Sequence, residues 1–226
     1  MSADSGVTWT ARDSDQPWSG VASSSDGTRL AATTASGKIY LSADSGATWT
    51  PKGEDRNWKA IACSSDGTRL IAAVGGGQIY LSPDAGETWT ASGTLAEAGG
   101  DIGDRKWSAV ASSSDGTKLV AAETGGQIYT SSDAGATWNR RDSKTLAWSA
   151  VACSADGSTI IALPDRGFSR FSKDGGATWA GQEGGFGGQS YRGVACSSDG
   201  TKVLAVAARN GSDTRILADG TRVAIA

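Results

Sequence analysis

Five carboxylates recur in one setting. The stretch Ser-x-Asp-x-Gly-x-Thr-Trp appears as SADSGVTW, SADSGATW, SPDAGETW, SSDAGATW and SKDGGATW, ending at Trp9, Trp49, Trp89, Trp138 and Trp179. Carboxylates can act as acid and base or hold a metal, but only when they converge on one point. Copies of one turn spread along a repeat stay apart. Asp4, Asp44, Asp84, Asp133 and Asp174 are therefore read as acceptors for N–H groups of their own turns. Gly6, Gly46, Gly86, Gly135 and Gly176 would supply the positive φ.

A second motif supplies aromatic rings. WSGVASSSDG, WKAIACSSDG, WSAVASSSDG, WSAVACSADG and YRGVACSSDG open at Trp18, Trp58, Trp107, Trp148 and Tyr191. Such rings either pack between neighbouring sheets or present a face on which a pyranose can stack, and the residues leave both readings open. A third group departs from the repeat: in ALPDRGFSRFSKDGG and the following GQEGGFGGQSYRG, Asp165, Arg166, Arg170, Glu183, Phe186 and Arg192 stand where other copies carry different residues. These form the pool for any unique ligand site, against the plainer reading of a solvated loop. No catalytic, cofactor-binding or metal-binding residue is singled out.

The chain of 226 residues has no His, 9 Trp, 32 Gly, 3 Cys and a formal net charge of −3. Without His there is no Ser/His or Cys/His nucleophile pair and no imidazole metal site. Lys and Arg are scattered, which argues against a nucleic-acid surface. No run nears the ~18 apolar residues of a spanning helix, so no membrane insertion is expected. The start, MSADSGVTWT, lacks the basic and apolar regions of an export signal, and the compartment stays open. Cys63, Cys153 and Cys196 share one slot of the second motif, held by Ser23 and Ser112 in other copies, and read as buried free thiols.

The elements that position these residues follow from the period. The Trp of the first motif are spaced 40, 40, 49 and 41 apart, and the aromatics of the second 40, 49, 41 and 43. Within one unit, KAIAC, RLIAA, QIYLS and TWT are short apolar or alternating runs separated by turn residues, which predicts four strands, A to D. A four-stranded unit repeated at this period predicts a β-propeller.

SxDxGxTW resembles the Asp-box, or BNR repeat, of sialidase-like enzymes, sortilin-like receptors, photosystem II assembly factors and propeller lectins. Five copies of the second motif imply five blades, and with the resemblance they predict an all-β fold: a single five-bladed β-propeller of four-stranded antiparallel blades with Asp-box turns between strands C and D. Blades are expected near 12–50, 51–90, 91–139, 140–180 and 181–226, with 1–11 as a ring-closing outer strand. The A–B and C–D turns would share one face. The other would carry the D–A connections, Ala11 to Pro17, Pro51 to Asn57, Ala91 to Lys106, Asn139 to Ala147 and Ala180 to Ser190, the third about nine residues longer. Variable loops on a rigid frame usually carry function.

The resemblance implies a non-catalytic recognition module that binds glycan through the variable face or the grooves between blades, without a cofactor. Alternatives are an assembly protein docking other proteins and, more weakly, a sialidase-like hydrolase. The Arg-Ile-Pro segment of sialidases is missing, and Tyr40, Tyr80 and Tyr129 sit at one repeat position. Two strands, 7–11 and TRVAIA, compete for the outer edge of the last blade. A closed monomer, a piece of a longer ring and a strand-lending oligomer are all open.

Overall fold

Each repeat alternates apolar runs with turns that force reversal, and the strands follow that rhythm. The computed structural model describes the chain except residues 3, 5, 13–14, 97–101, 182–189, 210–212, 219–220 and 225–226, with side chains described outside 142–144 and 208–226. The described residues are strands, turns and loops with no helix. The first unit is β1 (Trp18–Ser23), β2 (Leu30–Thr34), β3 (Gly37–Ser42) and β4 (Thr50–Arg56), paired antiparallel in that order. The second holds β5 (Trp58–Cys63), β6 (Leu70–Gly77), β7 (Ile79–Ser82) and β8 (Thr90–Ala91), with β9 (Thr94–Leu95) beyond it. In the third and fourth, β10 (Arg105–Ser112), β11 (Leu119–Ser131), β12 (Thr137–Cys153), β13 (Ile160–Pro164), β14 (Arg170–Ser172) and β15 (Ala180–Gly181) follow. The fifth is β16 (Ser190–Cys196), β17 (Val203–Arg209), β18 (Asp213–Ala218) and β19 (Thr221–Ala224).

Two connections expected as loops are strand instead. β4 extends through Pro51–Arg56, and β12 runs without a break from the outer strand of the third unit into the inner strand of the fourth. The longer third connection is also structured: β9 pairs in parallel with β12, Thr94 opposite Thr137 and Leu95 opposite Trp138. It straps the outer edge of the third unit.

The five inner strands share a register shift directly after the aromatic, at Trp18/Gly20, Trp58/Ala60, Trp107/Ala109, Trp148/Ala150 and Tyr191/Gly193. A bulge adds one residue and reverses the alternation of faces. It accounts for the odd spacing of aromatic-x-x-[Val/Ile]: Trp58 and Ile61 would point oppositely in a plain strand, yet both join one apolar cluster.

The core lies between units. Ala31 and Ile39 of the first meet Trp58, Ile61, Leu70, Ala72 and Val74 of the second. Ile71, Ala73 and Ile79 meet Trp107, Val110, Leu119 and Ala121; the third meets the fourth, and the fourth the fifth, in the same way. The second strand of each of the first four units is buried on both faces, hence its largely apolar reading, as in LIAAV. Among the described residues no strand of the fifth unit pairs with the first, and the sheets do not close into a ring.

Candidate functional site

The repeated carboxylates are occupied by their own turns. Asp44 accepts from the Thr48 N–H (2.9 Å), the Thr48 hydroxyl (2.5 Å) and the Ser42 hydroxyl (2.8 Å), while Ser42 Oγ accepts from the Gly46 N–H (2.8 Å). The same bonds recur at Asp4, Asp84, Asp133 and Asp174. The hydroxyl and amide of Thr48, then Ser42, hold Asp44 down at about 2. Asp4 and Asp174 sit at about 2 for the same reasons, and Asp84 and Asp133 are also lowered, the latter against the opposing effect of burial. A general acid needs the opposite shift. The glycines take positive φ as expected, and so do the residues before them: Ser45, Ala85, Ala134 and Gly175.

The Asp-Gly pairs of the second motif, which predict tight hairpins, carry a second set of carboxylates bound by their own turns. In the A–B turns Asp26, Asp66, Asp115, Asp156 and Asp199 accept from a preceding Ser hydroxyl and from the N–H of the residue two positions on. Their signal was the Ser two places before each Asp-Gly, which an Asx-type turn uses.

Between these two kinds of turn, the junctions of successive units open into grooves. The first, about 300 Å³, has Arg29, Leu41, Asp44 and Lys52 on one side and Cys63, Gly67, Ala85 and Glu87 on the other. The next, about 200 Å³, is lined by Arg69, Leu81, Gly116 and Ala134, and a third, about 250 Å³, by Lys118, Thr130, Arg141, Gly157 and Asp174. A cation occupies the same slot in each: Arg29, Arg69, Lys118. Its stem rests on the A–B turn of the next unit, where a Cβ on Gly67 would stand 2.8 Å from Arg29 Cβ and one on Gly116 2.6 Å from Arg69 Cδ. Lys52 Nζ meets Glu87 Oε2 at 2.6 Å across the first groove. These grooves lie on the face of the invariant turns. In the sequence the cation slot is marked as the residue after Ser-x-Asp-Gly-Thr.

The aromatic set is not a stacking platform. Trp58, Trp107, Trp148 and Tyr191 are buried between units, and only Trp18 is partly open. Burial follows from the bulge, which turns each ring toward the preceding unit, and leaves Trp18 alone of the five with a partly open face. Trp58 and Trp107 instead pack edge-on against Tyr80 and Tyr129, at 5.5 and 5.3 Å. On the variable face, Arg56 and Arg105 lie over those tyrosines at 4.5 and 5.0 Å.

Of the fourth-unit pool, the structure brings together Asp165 and Arg192, at 3.7 Å across the junction with the fifth unit. Arg166 stands exposed, Arg170 lies on β14 close to Gly181, and Glu183 and Phe186 fall outside the described residues. The three cysteines are free and half-buried, less enclosed than expected. Desolvation raises Cys63 to about 11 and Cys153 to about 12, so both stay protonated at neutral pH. Among the described residues no group of three or more His, Cys, Asp or Glu could hold a metal ion, and no helix is long and apolar enough to cross a membrane.

In sequence the chain matches no family model and no curated protein. In structure it is similar to a GH74 enzyme of Niastella koreensis (TM-score 0.64, 19% identity, 92% of this chain and 31% of that one). It is also similar to YCF48 bound to a D1 peptide (0.65, 15%, 95% and 68%) and to YCF48 of Cyanidioschyzon merolae (0.65, 18%, 96% and 73%). The chain thus spans about a third of the GH74 chain's length. Both kinds of neighbour are β-propellers, and this chain shares that fold.

Proposed function

We propose that this chain is a five-bladed Asp-box propeller arc that acts as a non-catalytic recognition module, binding glycan in the grooves between its units. The observation that carries this reading is recurrence: three successive junctions open in the same place, each with an apolar floor and a cation in one fixed slot. At about 200 to 300 Å³ they lie at or just below the small end of ligand pockets, room for no more than one sugar ring. Carboxylates saturated by their own turns are poor acids or nucleophiles, which supports binding over hydrolysis. The likeness in fold to a GH74 xyloglucanase of Xanthomonas campestris (TM-score 0.65, 14% identity) supports the ligand class.

Glycan-array screening followed by titration calorimetry tests the reading. Binding with more than one site per chain, weakened by Arg69→Ala, is expected. An empty array, or affinity indifferent to Arg29→Ala, Arg69→Ala and Lys118→Ala together, would remove it. A second reading, protein docking, is favoured by the likeness to YCF48 bound to a peptide and by the arginines paired over Tyr80 and Tyr129 on the variable face. Peptide binding lost in Arg56→Ala with Arg105→Ala would support it instead.

A further inference from the structure

The arc has two ends, and each exposes what the internal junctions bury. Val21 corresponds to Ile61, Val110 and Val151, all buried, yet is 77% exposed; Trp18 is 40% exposed where Trp58, Trp107, Trp148 and Tyr191 are buried. At the far end Leu204 corresponds to Ala31, Ile71, Val120 and Ile161, all buried, and is 42% exposed. Ala195 is likewise exposed, whereas Ala111 and Ala152 are covered.

Backbone bonds give these ends a direction. The Ser25 N–H donates to the Ser65 carbonyl, Ser65 to Ser114, Ser114 to Ala155 and Ala155 to Ser198, each at 2.8 Å. Every A–B turn is thus tied to the next by one main-chain bond. Among the described residues the row ends on the Ser198 N–H with no acceptor and begins on the Ser25 carbonyl with no donor. The open faces are therefore the two unlike halves of the junction found inside the arc.

Met1, Val7 and Trp9 already mark where a preceding unit would sit. A Cβ on Gly46 would stand 3.2 Å from Met1 Cε, as one on Gly86 would meet Leu41 and one on Gly135 would meet Leu81. Met1 thus takes the place that a leucine of the preceding unit takes at later junctions. Val7 and Trp9 remain 81% and 76% exposed, uncovered by inner strands.

We propose that a second copy of this chain supplies those strands: its fifth unit docks head to tail on the first unit of its neighbour. Val21 and Trp18 then pack against Leu204 and Ala195, and Ser25 receives the Ser198 N–H. Residues 7–11 then take the outer edge of the incoming unit, which β19 holds in a separate copy and leaves on docking. Unlike halves make a heterologous contact, which propagates copy to copy unless it closes. This inference is independent of the glycan reading.

Light scattering over a range of concentrations tests it. The mass should rise above the 22.9 kDa of one chain, while Val21→Asp holds at one chain with unchanged circular dichroism, since Val21 touches little in the separate copy. For orientation, the three native cysteines are first replaced by serine, the residue Ser23 and Ser112 place in that slot. Chains with Val21→Cys are then mixed with chains with Leu204→Cys under oxidation. A cross-linked dimer formed only in the mixture is expected. A wild-type mass of one chain at every concentration, a dimer joined through Val21→Cys alone, or an intramolecular bridge in the doubly substituted chain at high dilution would each overturn the proposal.

Discussion

Replacing the tryptophan that closes each Ser-x-Asp-x-Gly-x-Thr-Trp turn should have a cost set by the neighbouring unit, although the five turns share their bonds. Trp138 is fully buried beneath the strap formed by the third connection, packed with Ile102 and Leu95. Its indole N–H donates to Ser92 Oγ at 2.7 Å, and the Ser92 hydroxyl donates to the Gly135 carbonyl at 3.0 Å. Trp9, in the same motif, is 76% exposed and donates only to the Gly6 carbonyl of its own turn. A buried indole removes ~150–250 Å² from water, worth ~4–6 kcal/mol at ~25 cal/mol per Å². Truncations of buried tryptophan to alanine cost ~3–5 kcal/mol. With about 2–4 °C lost per kcal/mol in a chain of this size, Trp138→Ala should lower the melting midpoint by about 6–20 °C. Trp9→Ala should stay within ~0.5 kcal/mol, or about 2 °C at most. Calorimetric melting of both variants beside the wild type reads the difference directly. Equal losses would refute the reasoning, because they would place the worth of the tryptophan in the turn itself and not in what covers it.

Gly86→Ala should destabilise more than Gly76→Ala. Both have φ near +80 to +90°, but a Cβ on Gly86 would lie 2.3 Å from Leu41 Cδ1 while one on Gly76 meets nothing within 4 Å, and urea midpoints will rank them. Acid should unfold the chain over a defined window. Asp44, Asp66, Asp115 and Asp174 are held at about 2 in the folded state against an ordinary 3.8, so their contribution is complete above 3.8 and is lost as pH falls through about 2. Denaturation midpoints flat down to pH ~3 would contradict this. Thiol labelling with a chromogenic disulfide near neutral pH should be slow in the folded chain and complete for three cysteines in denaturant, since burial keeps Cys63 and Cys153 protonated. Fast labelling of the folded chain would mean an open, ionised thiol.

The sequence made legible whatever repeats locally. Strand rhythm follows from KAIAC, RLIAA, QIYLS and TWT, and the role of Asp44 and its counterparts follows from a spacing that only their own turn can satisfy. What it obscured depends on the next unit. The aromatic slot looked identical at Trp18 and Trp58, yet a neighbour covers one and leaves the other partly open. The longer third connection was visible as a spacing of 49, but not its pairing with β12, because two short residues such as Thr94 and Leu95 carry no strand signal of their own. The bulge was written in the three-residue step from aromatic to Val or Ile, an odd interval on a strand. The grooves were foreseeable between units, while the cation in them needed the close approach of Arg29 to Gly67 to stand out.

The uninterrupted β12 has a kinetic consequence. Its 17 residues, Thr137–Cys153, serve two units at once, so neither can open without breaking ladders in both. Fluctuations that expose amides to exchange should therefore start at the two ends of the arc and stop at the third and fourth units, which open and close together as its slowest-exchanging block.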